Sequence, residues 1–338
     1  MDTITHIALG ACLGEVLAGK KLGKKALLWG AAAQIMPDLD VVCSLWMDPS
    51  SSVLAHRGFT HSFLFAILIS ALFAWFLQRI WGRSSASIKF WFTFFIVQLL
   101  VHSVLDAFNA YGTGWFEPFS HYRVSFNTLF VMDPFYLLPI GIISLLLLVI
   151  RKSYNKRAYL ALAGIAISSL YVGYALVNKF SIDREVQAAM TQKKITTRKY
   201  FTTPTPFNSW LWFVVVAKEG GSFVGYRSVF DSKDEPIDFE FFSRKDVLLN
   251  LANTPDVVSR LKRFSKDFYT VDIRKDTLLF NDLRFGQMGG WKDPRADFAF
   301  HYYLRPALDN RLVMQRGRLS GWDKDTMQAF IERIKGIE

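Results

Sequence analysis

Two histidines and an arginine stand within HRGFTHS, residues 56–62, directly before the apolar run FLFAILISALFAWFL. Imidazole together with carboxylate is the donor set that suits zinc and similar divalent ions. Further such groups stand at the ends of other apolar stretches. His102 and Asp106 lie four apart in VHSVLDAF, so a helix there projects both from one face. PDLD, residues 37–40, supplies Asp38 and Asp40 just past an apolar segment, and His6 stands near the start of TITHIALGACLGEVLA. His121 is an outlying fifth histidine before residue 122.

Each group also has an ordinary explanation. A His–Asp pair locks two helices, an Asp after proline caps the next segment, and an interfacial loop turns His56, Arg57 and His61 toward lipid headgroups. A lone histidine such as His6 on a small apolar helix is most simply a hydrogen-bonded core residue. Of Asp38 and Asp40, one is expected to bind metal while the other orients a histidine. Joined, the groups point elsewhere. Separate explanations would each have to place a costly polar side chain at the same membrane level on a different segment. One centre of one to three metal ions accounts for them together, with His6, Asp38, Asp40, His56, His61, His102 and Asp106 as candidate ligands.

The elements that position these residues are membrane segments. The 338 residues are 51% hydrophobic and 16% aromatic, and the apolar runs crowd before residue 180. Residues 63–80, 88–106, 135–150 and 158–178 read as four full spans, the third short for ~30 Å of hydrocarbon. Two weaker segments, 3–18 and 26–36, precede them. Gly10 and Gly14 let helices approach closely, and Pro37 marks a stop. Eleven of the fourteen Lys and Arg in residues 1–180 fall at Lys20, Lys21, Lys24, Lys25, Arg79, Arg83, Lys89, Arg151, Lys152, Lys156 and Arg157, with no acid in those loops. The positive-inside rule makes these loops cytoplasmic and puts the His and Asp groups, both termini and the C-terminal region outside. Asp2 precedes the first apolar run and the lysines follow it, the reverse of a signal peptide, so that segment is expected to be retained.

From about Ser181 the chain turns charged and aromatic. WLWFVVVAK, SFVGYRSVF and DFYTVDI read as strands, TPFNSW and KEGGS as turns, and 243–253 and 325–335 as helices, the second capped by Asp323 or Asp325. The fold expected is an α-helical membrane domain of about six segments over 1–180, followed by a soluble α+β domain over 181–338. Its 26 basic and 21 acidic residues nearly balance, which argues against nucleic acid as a partner. Cys12 and Cys43 form no CxxC pair and read as packing residues. Glu15 reads as structural or as the partner of a basic group.

MDTITHIALGACLG, PDLD, HRGFTHS, HSVLDAFNAYGT, PFSHYRVSFNTLFVMDP, TPFNSWLW and NDLRFG together resemble the YdjM-type membrane-bound metal-dependent hydrolases. The resemblance covers nearly the whole chain. It implies a bacterial inner-membrane location, a hydrolase activity and the seven-residue site above. That family is in turn distantly similar to zinc-dependent phospholipases C and single-strand nucleases, an analogy of fold that implies phosphoester hydrolysis. Members often carry Asp where this chain has Asn127, and of the later His and Glu ligands of the phospholipases only His121 has a counterpart.

The chemistry expected is hydrolysis assisted by a divalent ion, zinc foremost. Asp40 or Asp106 would accept a proton from water, and Arg57, with Arg123, would hold phosphate oxygens. Membrane lipid, or another amphiphilic or phosphorylated small molecule, is the expected substrate. Intramembrane His and Asp also mark ion or proton pathways, so a small transporter is one alternative. A membrane anchor with a structural metal, presenting its soluble module to a protein partner, is another.

Overall fold

The computed structural model describes residues 1–81, 86–151, 156–195, 197, 199–274, 277–304 and 322–337. Arg83 and Lys152 of the basic loops lie outside them. By packing, the chain forms two units: Met1–Trp46 with Ala55–Tyr174, and Met47–Leu54 with Ala175–Glu338.

The first unit is helical. α1 (Thr3–Leu22) begins at Asp2, whose carboxylate accepts from the Thr5 N–H, and ends in Lys20 and Lys21 before Gly23. The basic last turn complements the negative end of the helix dipole. α2 (Lys25–Ile35) returns against α1 with the backbones nearly touching. A Cβ on Gly10 would lie 2.4 Å from the Gly30 carbonyl oxygen, and one on Gly14 would lie 2.1 Å from that of Ala26. Only glycine permits this approach. Pro37 ends α2 and opens a 3-10 helix (Pro37–Leu45), with the chain bent by 50° between the two. That bend presents Asp38 and Asp40.

α4 (Phe63–Trp81) and α5 (Ile88–Asp106) follow, after the short α3 (Pro49–Ala55), and pack together. α6 (Pro134–Val149) is capped by Asp133, and α7 runs over Arg157–Gln192. α4, α5 and α7 are long and apolar enough to cross a membrane, and α2 with the bent 3-10 helix makes a fourth if counted as one span. α6 has 16 residues, or about 24 Å at 1.5 Å per residue, less than the hydrocarbon thickness. Among the described residues the chain thus carries three to four apolar helices long enough to span a membrane before the C-terminal module.

α7 continues fourteen residues beyond the expected end at 178. The reason lies in what it packs against. Within the second unit, which takes α7 from Ala175 onward, Ile182, Val186 and Met190, four residues apart, make one buried stripe with Trp212, Val214, Val216 and Ile237. A stripe at that spacing rewards further helix once a sheet face covers it.

The second unit contains two antiparallel sheets. β1 (Tyr200–Pro204), β2 (Leu211–Lys218), β3 (Gly221–Ser228) and β4 (Phe239–Ser243) lie in sequence order. β5 (Tyr269–Arg274), β6 (Thr277–Gln287) and β7 (Phe298–Tyr303) form the other sheet. The tight turn at Glu219–Gly220 uses φ +75° at Gly220, as a hairpin requires. Among the described residues the unit also has α8 (Pro255–Phe264) and α9 (Lys324–Ile334). Asp323 caps α9, accepting from the Thr326 N–H at 2.8 Å. Residues 243–253 are not the expected α-helix. β4 runs to Ser243, Lys245 turns left-handed at φ +54°, and Asp246–Leu251 is 3-10.

One ion pair ties the basic end of the helical unit. Arg157 donates to both Glu15 oxygens, at 2.8 and 2.7 Å, and to the Leu147 and Ile150 carbonyls at the end of α6. Both side chains are about 95% buried. Glu15→Gln strands a buried guanidinium, and is expected to cost about 3–5 kcal/mol, read as a lowered melting temperature of the detergent-solubilised protein. Adding Arg157→Met should restore most of the loss. A Glu15→Gln effect no larger than that of a surface change such as Lys193→Ala would refute this.

Candidate metal centre

Four side chains from three stretches of chain converge. The bend after Pro37 delivers Asp38, the 3-10 turn Phe59–His61 delivers His61, and the last turns of α5 deliver His102 and Asp106. One donor atom from each lies within 4.8 Å of every other. His61 Nε2 is 3.0 Å from His102 Nε2, 3.4 Å from Asp38 Oδ1 and 3.3 Å from Asp106 Oδ2. His102 Nε2 is 3.6 Å from Asp38 Oδ1 and 3.8 Å from Asp106 Oδ2. A tetrahedral ion bonded at about 2.0–2.1 Å sets neighbouring donors about 3.3–3.4 Å apart. These separations straddle that value.

The satisfaction of the donors agrees. Asp38 Oδ1 and Asp106 Oδ2 are buried and accept no hydrogen bond among the described residues. Buried carboxylate oxygens are rarely left so, and these two face imidazole nitrogens. Burial opposes a proton on His61, yet the Asp106 and Asp38 carboxylates outweigh it and raise its pKa above the ordinary histidine value. The residues present therefore fit a divalent ion of the zinc type, and among the described residues they form the one such group.

The other sequence candidates surround the four rather than joining them. Asp40 is spent on the loop: Oδ1 meets His56 Nδ1 at 2.7 Å, and Oδ2 accepts from the Arg57 N–H at 3.0 Å and the Thr60 hydroxyl at 2.7 Å. Thr60 Oγ1 also lies 3.0 Å from His61 Nδ1. Asp40 thus orients His61 through Thr60, the supporting role expected of one aspartate of PDLD. His56 is turned outward, with its side chain 34% exposed and its ring centre 6.1 Å from that of His61. His6 stacks on His102 at 3.8 Å, and its Nε2 lies 3.1 Å from Asp106 Oδ1, the oxygen turned away from the cluster.

Arg57 does not project into open space. Its guanidinium donates to Asn109 Oδ1 at 2.8 Å and to the Met1 carbonyl at 3.1 Å, and its Nε lies 3.0 Å from Asp106 Oδ2 without hydrogen-bond alignment. A φ of +61° at Arg57 turns the chain so that its N–H reaches Asp40 and its side chain reaches Asp106. Arg123 donates to the His56 carbonyl at 2.6 Å. His121 is 62% exposed and pairs with Glu117 at 2.8 Å, outside the group of four. Asn127 accepts from Ser125.

Residues outside the sequence candidates complete the support. Gln34 Oε1 meets His6 Nδ1 at 3.2 Å, Gln34 Nε2 donates to the Gln98 carbonyl at 2.9 Å, and Gln98 Nε2 donates to the Gly10 carbonyl at 3.2 Å. Gln98, His102 and Asp106 stand at i, i+4 and i+8 on α5, one polar stripe on an apolar helix. That spacing was the available signal.

The sequence profile of the YdjM inner membrane protein family matches residues 1–182, which contain every residue of this site. The chain belongs to the YdjM inner membrane protein family. Over 122 residues it is 37% identical to the inner membrane protein YbcI of Escherichia coli K12, covering 36% of this chain and 69% of that protein. Over 313 residues it is 26% identical to YfhP of Bacillus subtilis 168, described as uncharacterized, covering 86% of this chain and 88% of that one. No solved structure matches. Family membership and the apolar helices together make this a multi-pass inner-membrane protein.

The Thr60 hydroxyl is the one link from Asp40 to His61 that can be removed with little change of shape. Thr60→Val is expected to weaken zinc binding about 10–100-fold while the melting curve of the metal-free protein stays put. Competition against a chromophoric chelator measures this, and unchanged zinc affinity would remove Asp40 from the support of the site.

Proposed function

We propose that this protein is a membrane-bound, metal-dependent hydrolase acting on a phosphoester, with Asp38, His61, His102 and Asp106 holding one divalent ion. The observation that carries the reading is the pair of buried carboxylate oxygens aimed, without hydrogen bonds, at two imidazole nitrogens. An ion of the zinc type supplies Lewis acidity and brings the pKa of water down from 15.7 to about 7. Arg57 Nε lies 3.0 Å from Asp106 Oδ2. Asp106 is engaged through Oδ1 by His6, so a proton leaving water would be accepted at Asp40, whose Oδ1 meets the partly exposed His56 ring. Partly exposed Asp38, at 13% against 0% for His61, His102 and Asp106, marks the side from which substrate arrives.

The proposed topology has six membrane segments, α6 included with its flanks, and four full spans. The basic loops face the cytoplasm, and the metal centre and the C-terminal domain face outward. Exposed apolar and aromatic side chains gather at the site end of the helices, among them Leu39, Trp46 (80% exposed), Phe119 (84%) and Tyr122. Such residues belong at a membrane interface, where an amphiphilic phosphoester presents its headgroup.

Four burying donors also favour a second reading, since closed four-ligand sites are structural in most zinc proteins. In that case the protein is an anchor and the ion a staple. Metal content and turnover of bis(4-nitrophenyl) phosphate, measured on detergent-purified protein, separate the two. A hydrolase should contain about one equivalent of metal per chain, and Asp106→Asn should lose metal and turnover together by at least ~100-fold. EDTA should abolish the reaction and added zinc should restore it. Metal-replete protein without turnover, whose Asp106→Asn variant only melts earlier, decides for the staple. A periplasmic alkaline phosphatase fused after residue 338 should be active; an inactive fusion overturns the topology.

A further inference from the structure

We propose that Arg57 acts as a brake on metal binding, a positive charge set beside one ligand of the centre and held so that it repels the ion without taking the ligand. The inference rests on the four-residue centre and applies to a catalytic or a structural ion alike. Arg57 is 3% exposed, so its charge is poorly screened. Its Nε lies 3.0 Å from Asp106 Oδ2, yet neither atom makes a hydrogen bond among the described residues. A guanidinium that close to a carboxylate ordinarily forks onto it with aligned N–H groups. Two other acceptors keep it from doing so. Nη1 donates to Asn109 Oδ1 at 2.8 Å, and Nη2 donates to the Met1 carbonyl at 3.1 Å.

Asn109 is the positioning residue of this arrangement. It lies just past the end of α5 and is fully buried. Its Oδ1 accepts from the Tyr111 N–H at 3.0 Å as well as from Arg57, and its carbonyl accepts from the Ser125 hydroxyl at 2.7 Å. With the amide fixed in this way, the guanidinium is held out of line with Asp106 Oδ2. That oxygen keeps its lone pairs for the side where the His61 and His102 nitrogens stand, at 3.3 and 3.8 Å. The carboxylates of Asp38 and Asp106 already match a divalent ion in charge. Arg57 is then a surplus positive charge at one of the four ligands, and like charges in a buried site repel appreciably. Changes in these two contacting residues therefore act with opposite sign. Removing the charge tightens the site, whereas releasing the guanidinium to fork onto Asp106 Oδ2 loosens it.

The test measures the zinc affinity of metal-stripped, full-length protein in detergent, by competition against a chromophoric chelator. Arg57→Met is expected to bind zinc about 10–100-fold more tightly than the wild type. Arg57→Lys, which keeps the charge, is expected to stay within about threefold of it. Asn109→Leu is expected to bind about tenfold more weakly, and that loss should vanish in the Arg57→Met background. If Arg57→Met does not survive purification, Arg57→Gln is read in its place. A merely structural role for either residue would weaken binding in every variant. Weaker or unchanged affinity in the charge-removing variant, equal tightening by Arg57→Lys, or an Asn109→Leu loss that persists without Arg57 overturns the inference. The affinities are read whether or not bis(4-nitrophenyl) phosphate turns over, so failure of the hydrolase reading leaves this test intact. Wild-type protein that takes up no zinc overturns both the metal centre and the brake.

Discussion

Moving a carboxylate out of water costs several kcal/mol unless a positive charge or a set of donors meets it. The helical unit is arranged around that constraint. Asp106 is fully buried at the end of α5 and is met by Arg57 and His6, and Asp38 and Asp106 both turn an oxygen toward His61 and His102. The requirement reaches outward from there. Arg57 needs Asn109 and the Met1 carbonyl, His6 needs Gln34, Gln34 needs Gln98, and Gln98 needs the Gly10 carbonyl, which is within reach because α1 and α2 touch at glycine. A close backbone crossing and a polar centre are two ends of one chain of hydrogen bonds.

The two ends of the helical unit handle charge in opposite ways. At one end Glu15 and Arg157 satisfy each other bidentately, and Arg157 also caps the last carbonyls of α6. That pair closes locally. At the other end Asp106 meets the Arg57 guanidinium and the Met1 ammonium, while Asp38 Oδ1 faces imidazoles, which hold a proton or share their lone pairs with an ion. That part of the site has a choice of occupant that a guanidinium–carboxylate pair lacks.

Much of this was legible in the sequence, for a physical reason. Ionisable residues in apolar stretches are costly, so His61, His102 and Asp106 stood out by type and spacing, and the break at Pro37 located Asp38. Which candidates donate and which support was not legible. It depends on a 50° bend and on a left-handed Arg57, neither of which leaves a periodic trace. Gln34 and Gln98 carry no such mark, because a neutral amide costs less to bury than a charge. In the second unit, the apolar stripe of α7 past Tyr174 has meaning only once the β1–β4 sheet exists to cover it. Lys245 breaks the expected 243–253 helix through a single dihedral angle.

The three stretches that carry the converging donors enter the membrane at different moments. Asp38 arrives with α2, His61 just ahead of α4, and His102 with Asp106 only as α5 completes its passage. No pair of donors before α5 makes a closed set. An ion taken up by this group would therefore have all four donors only once the α4–α5 hairpin had been inserted. A chain stalled before α5 would offer it Asp38 and His61 alone among the four.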